Sequence, residues 1–217
     1  WGEVELGTLG YVLTFLWILG LTNAYNFMDG LDGLAAGVAV IAAGFLGAIA
    51  FEQKSVFVYM SSYVLLAGAA GFLIFNFSPA KIFMGDIGSA FLGFTFATLA
   101  VVGSSLDLGR LSFYIIPMLL FHFIFDTLFT FARRLLHGEK VHLAHRTHLY
   151  QFLNRMGYSH RTVSLFHYAV TVAQGIAAFV SVSLAPERRL LVFIPFLIFE
   201  IAYARWVLAR ARSLRLI

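Results

Sequence analysis

The chain has 217 residues, 60% of them hydrophobic and 12% charged, with a formal net charge of +4 at pH 7 and no cysteine. Soluble domains carry about 25% charged residues, so the composition excludes a soluble globular class and points to a lipid bilayer. The missing cysteine excludes disulfides and thiolate chemistry, and the positive charge, with no basic strip interleaved with aromatics, reads as membrane topology with no nucleic-acid partner.

A transmembrane helix needs about 20 mostly apolar residues. With Gly, Pro and charges as punctuation, the sequence predicts seven helices over 9–25, 33–51, 56–76, 88–104, 111–132, 162–183 and 189–209. The expected fold is therefore all-α, a polytopic transmembrane bundle forming a single domain over 1–217. The only long polar connection is 133–161, which its length marks as a substrate-binding or partner-facing loop. Eleven of the 15 Lys and Arg fall on one side: Lys81, those of 133–161, and those from Arg205 onward. Lys54, Arg110, Arg188 and Arg189 fall on the other, so the first side is expected in the cytoplasm. Two predicted helices separate each polar stretch from the next, which brings 23–32, 76–89 and 133–161 to the same face.

The first stretch reads Asn23-Ala-Tyr-Asn26-Phe-Met-Asp29-Gly-Leu-Asp32-Gly-Leu. Two amides and two carboxylates at the mouth of apolar sequence are costly to desolvate unless something binds them. A polar turn explains Gly30 and Gly33 but not a second acid three positions after the first. In the second stretch, Pro79 ends a helix, and Gly85-Asp86-Ile-Gly88-Ser89 opens the next one. Asp86 there suits Mg²⁺ shared with a phosphate, or else a helix N-cap. Lys81 reads either as a point charge for phosphate or as a positive-inside anchor.

The third stretch begins with His122 and Asp126, four residues apart and able to meet on one helix face, as a structural pair or a catalytic one. His142, His145 and His148 recur every three residues, but without cysteine or a His-Glu-x-x-His pattern a zinc site is a poor reading. Clustered imidazoles and Arg146 suit a diphosphate, and a solvated basic loop accounts for them as well. Together the residues describe a cytoplasm-facing site for Mg²⁺ and a phosphorylated substrate.

Asn23-Ala-Tyr-Asn-Phe-Met-Asp-Gly-Leu-Asp-Gly-Leu-Ala, Phe83-Met-Gly-Asp-Ile-Gly-Ser, Asp126-Thr-Leu, Arg133-Arg134-Leu-x-x-Gly and His145-Arg-Thr-His together resemble the polyprenyl-phosphate N-acetylhexosamine-1-phosphate transferases, glycosyltransferase family 4. The resemblance covers residues 9–161. It implies transfer of a sugar 1-phosphate from a UDP-N-acetylhexosamine to undecaprenyl phosphate, with release of UMP and a need for Mg²⁺ or Mn²⁺. It also implies a bacterial plasma membrane location and is compatible with a homodimer. By position, Asp86 and Asn26 look like metal-associated residues, Phe83 like a ring that stacks uracil, and Asp32 like a nucleotide contact. Asp29 resembles an active-site carboxylate, Arg146 a diphosphate contact, and His148 the retained catalytic-loop histidine.

Two departures stand out. Many members carry His-x-His-His where this chain has His148-Leu-Tyr150-Gln151, which resembles the O-antigen-initiating subgroup that handles 6-deoxy sugars such as N-acetylfucosamine or N-acetylquinovosamine. The family also has an adjacent aspartate pair upstream. No two acids adjoin in this sequence, so an upstream part with several helices is expected, and the chain alone is expected to be inactive. The competing readings are a membrane transporter or carrier of a phosphorylated lipid or solute, which would spread polar residues at mid-span, and a CDP-alcohol phosphotransferase. The second lacks its Asp-Gly-x-x-Ala-Arg signature, because Asp32-Gly-Leu-Ala-Ala-Gly has no Arg.

Overall fold

In a bilayer every backbone N–H and C=O needs an internal partner, and each apolar run of this chain meets that demand by coiling into a helix. A computed structural model describes residues 7–107, 111–140 and 146–217. Its helices are α1 (Gly7–Phe27), α2 (Leu34–Glu52), α3 (Val56–Asn76), α4 (Gly85–Ser105), α5 (Ile115–Leu119), α6 (Phe121–Leu136), α7 (Leu149–Arg155), α8 (His160–Ser181) and α9 (Phe193–Ser213). Of the described residues 79% are helical, and none lies in a strand. Among the described residues six segments are long and apolar enough to cross a membrane: α1 to α4, α8, and Pro186–Ser213, which contains α9.

The fifth predicted helix, 111–132, is divided. Pro117 lacks an N–H and is tolerated only in a first helical turn, and α5 starts two residues before it. The chain then breaks at Leu120 and resumes as α6, which runs on to Leu136. The expected loop 133–161 also contains structure, the short helix α7. Its Leu149, Tyr150, Phe152 and Leu153 are buried, and Gln151 Oε1 accepts the backbone N–H of His148 at its start, at 3.1 Å.

α2 is the centre of the bundle. Ala35, Ala36, Gly37, Ala39, Ala42 and Ala43 are all buried, and small side chains let neighbouring backbones approach closely where lipid removes the hydrophobic drive for helix association. α2 packs most extensively on α3 and α8, and α1 packs on α4. Polar side chains then fix the helices relative to one another. Trp17 Nε1 donates to Ala97 O (3.0 Å), tying α1 to α4, and Tyr25 Oη donates to Ala35 O (2.7 Å), tying α1 to α2 just behind the acidic loop.

Candidate active site

The loop 28–33, between α1 and α2, carries Asp29 and Asp32. Gly33 sits at φ +74°, a left-handed conformation that any other residue would strain to adopt, and this lets α2 start immediately after the loop. The N–H of Gly33 donates to Asn76 Oδ1 (3.1 Å), and Asn76 Nδ2 donates to Ile82 O (2.9 Å). One buried amide at the end of α3 therefore joins the first polar stretch to the second. From the other side Ser164 Oγ donates to Asp32 O (2.8 Å), and Tyr168 Oη donates to Gly33 O, both from α8.

Asn26, on the last turn of α1, faces the start of α4. Its Nδ2 donates to Ser89 Oγ (2.9 Å) and lies 3.4 Å from Asp86 O, leaving its carbonyl oxygen as the remaining acceptor. Asp86 is exposed in the first turn of α4. Asp29 is half-buried, and burial together with the neighbouring Asp86 carboxylate pushes its pKa up to about 6. The structure thus brings Asn26, Asp29 and Asp86 together. Two carboxylates and an amide oxygen are hard donors, and a divalent cation would relieve the repulsion that raises Asp29, so the residues fit Mg²⁺. Among the described residues no three His, Cys, Asp or Glu side chains group around one point. A metal here would therefore be completed by substrate oxygens.

Asp32 is turned toward its own chain. Its Oδ2 accepts from Ala80 N (3.2 Å), and its Oδ1 lies 3.2 Å from His160 Nδ1. The Asp32 backbone N–H also points to that ring nitrogen, N to N 3.4 Å. His160, Ser164 and Tyr168 carry no local motif in the sequence: His160 lies in the polar run that starts α8, and Ser164 and Tyr168 are scattered along the apolar helix.

Phe83, three residues before Asp86, stands out from the surface, 77% exposed. Lys81 and Arg146 are exposed and make no ion pair among the described residues. His148 is buried, with Nδ1 3.1 Å from Asp126 Oδ1. Asp126 also accepts the N–H groups of Leu149 (3.0 Å) and Tyr150 (3.1 Å) and the hydroxyl of Thr130 (3.1 Å). The expected pairing of His122 with Asp126 does not form, since His122 turns to Glu200 (2.5 Å). His142 and His145 lie outside the described residues.

An apolar cleft of about 710 Å³ runs between α3 and α4, walled by Met60, Val64, Phe72, Met84 and Phe91, and reaches Gly88, two residues from Asp86. Carboxylates near the end of an apolar groove repel an anionic headgroup by themselves and would receive one only through a bridging cation.

Residues 1–104 match the sequence profile of glycosyl transferase family 4. The chain is 41% identical over 176 residues to a probable undecaprenyl-phosphate N-acetylglucosaminyl 1-phosphate transferase of Bacillus subtilis, an alignment covering 81% of this chain and 49% of that protein. Over residues 1–104 the chain belongs to glycosyl transferase family 4. This family 4 chain is also 44% identical over 100 residues to a phospho-N-acetylmuramoyl-pentapeptide-transferase of Listeria monocytogenes, covering 46% of this chain and 31% of that protein. A protein of the same name from Lactobacillus helveticus is 43% identical over 101 residues, with the same coverage. The family 4 chain thus spans from about a third to about half the length of these relatives.

Proposed function

We propose that this chain forms the nucleotide-sugar and metal wall of a bacterial plasma-membrane enzyme. The enzyme transfers N-acetylhexosamine 1-phosphate from a UDP-sugar to undecaprenyl phosphate and faces the cytoplasm. The observation that carries the reading is the convergence of Asp29, Asp86 and Asn26 at the end of the apolar cleft. The Bacillus relative's name supplies the acceptor, and the acidic pair, with the exposed ring of Phe83 three residues before Asp86, supports the donor.

In this reading Asp86, Asp29 and Asn26 would hold Mg²⁺, with Mn²⁺ able to replace it. When bound, the ion offsets charge on the donor diphosphate. Phe83 offers a face for uracil, and Lys81 and Arg146 offer positive charge to the phosphates. Asp32, tied to Ala80 and His160, shapes the nucleotide end. An oxygen of the lipid phosphate bonds to the phosphorus that bears the sugar, the bond between the two donor phosphates breaks, and UMP departs with the electron pair. That lipid phosphate is already ionised at neutral pH, so no proton has to be removed from it.

The sugar we propose first is N-acetylglucosamine, on the strength of the Bacillus relative's name. The 6-deoxy alternatives, and with them a role in O-antigen initiation, rest on Tyr150 and Gln151. Those side chains are engaged within the chain: Tyr150 Oη donates to Phe27 O (2.9 Å), and Gln151 Nε2 donates to Tyr150 Oη (3.1 Å). The test measures UMP released by the full-length protein from a panel of UDP-sugars, with and without undecaprenyl phosphate. Acceptor-dependent release that is abolished by Asp86→Asn is the expected result. Release that ignores the acceptor, or an Asp86→Asn enzyme of near-normal activity, overturns the reading.

A further inference from the structure

α9 contributes nothing to the site just described, yet an acid, Glu200, sits in its apolar first half. Glu200 is fully buried. An acid inside a membrane-spanning helix is costly to insert and persists where it is paired and used. Its Oε1 lies 2.5 Å from Nδ1 of His122, which is also buried, at the start of α6.

Three further directional contacts lead from this pair to the acidic loop. His122 lies one helical turn before Asp126 on α6. Asp126 accepts the N–H groups of Leu149 and Tyr150 and so fixes the start of α7. Tyr150 in turn donates to Phe27 O, two residues before Asp29. The surroundings of the pair offer no second tie. The His167 ring from α8 lies 4.3 Å from that of His122, centroid to centroid. Both of its nitrogens, His122 Nε2, Glu200 Oε2 and Tyr203 Oη are buried with no hydrogen-bond partner among the described residues. The Glu200–His122 contact is therefore the polar link between α9 and α6 in this part of the bundle.

We infer that Glu200 is a positioning residue. By holding His122 it sets α6 against α9, and through Asp126 and Tyr150 it sets the placement of the Asp29 loop. The activity readout rests on the transferase reading above. A misplacement of about 1 Å costs on the order of 100-fold in rate, so an effect is expected although Glu200 touches no substrate.

The test compares full-length wild type with Glu200→Gln, Glu200→Leu and the double variant Glu200→Leu/His122→Leu. The double variant replaces both buried partners with apolar side chains and so keeps the fold if the single variant does not. Glu200→Leu and the double variant are expected to lower kcat about tenfold or more while KM for the UDP-sugar stays within about twofold, the pattern of lost transition-state alignment. Glu200→Gln, which can still hydrogen bond to His122, is expected to retain most of kcat. Amide hydrogen exchange should rise at 27–33 and 148–153 in the Leu variants and not in Glu200→Gln. A kcat within twofold of wild type in the Leu variants, a change confined to KM, or unchanged exchange at 27–33 and 148–153 overturns the inference. If wild type itself transfers no sugar phosphate, the transferase reading falls, and the exchange comparison still decides the role of Glu200.

Discussion

Tyr150 of α7 donates its phenol to the backbone carbonyl of Phe27, 2.9 Å away, joining a residue near the end of the basic segment to the last residue of α1. The contact is packed as tightly as it is bonded. A Cβ built on Gly30 would fall 2.2 Å from the Tyr150 oxygen, so the acidic loop passes the phenol at a distance only glycine allows.

Tyr150→Phe removes the donor and leaves the Phe27 carbonyl without it, a loss of about 1 kcal/mol. Gly30→Ala forces the phenol out and is expected to cost more. The double variant is expected to cost less than the sum of the two, because removing the hydroxyl removes the atom the new methyl meets. Thermal unfolding of the three variants in detergent checks this; strictly additive losses would show that the loop and Tyr150 do not share the space.

Asp29 makes the site sensitive to pH. A carboxylate in an unfolded chain titrates near about 4, whereas in the fold Asp29 does so at about 6 because of burial and Asp86. Between these values the folded chain holds a proton that the unfolded chain has lost. The associated stability is thus complete below about pH 4 and is lost as pH rises through about 6. Without divalent ions the protein is expected to unfold at a lower temperature at pH 7 than at pH 5, and Asp29→Asn should flatten that difference. Because a cation and the proton compete for the same carboxylate, Mn²⁺ affinity should climb with pH up to about 6 and then level off, as calorimetry at stepped pH would record.

Much of the fold was legible because long apolar runs bounded by Gly, Pro and charge leave little choice in a membrane: the third helix was read at 56–76 and is found there. What could not be read depends on contacts distant in sequence. The break at Leu120 follows Pro117 inside a long apolar run that reads as one span, and the short helix α7 lies in basic sequence that reads as a loop. Nothing near His148 in the sequence announces its buried contact with Asp126, 22 residues earlier. The acidic stretch and the Asp86 turn were legible because each is compact in sequence, whereas His160, Ser164 and Tyr168 reach the same loop singly from α8.

Asp126 is the acceptor that holds α7 in place, so its removal should act on stability before chemistry. Asp126→Ala leaves the buried N–H groups of Leu149 and Tyr150 without their acceptor, a cost on the order of 3 kcal/mol. Asp126→Asn keeps one acceptor oxygen and is expected to fall between Ala and wild type. Limited trypsin digestion should cut faster after Arg146 and Arg155 in the Ala variant. Equal digestion rates would show that the segment is held by other means.

Phe83 separates binding from folding. The ring is 77% exposed three residues before Asp86, so its replacement removes little buried area, and Phe83→Ala should leave the unfolding temperature unchanged. Stacking a base on an aromatic ring is worth about 1–3 kcal/mol by alanine substitution, so loss of the uracil face should raise KM for the UDP-sugar about tenfold or more. KM for the lipid acceptor should not move, because the acceptor carries no base. Phe83→Trp, which keeps a flat face, should retain near-normal KM, while Phe83→Leu, apolar but not flat, should resemble Ala. Steady-state kinetics of the four proteins with each substrate varied in turn distinguishes stacking from general hydrophobic contact. A Leu variant as good as wild type would assign Phe83 to the bilayer surface and leave the nucleotide to be held by its phosphates.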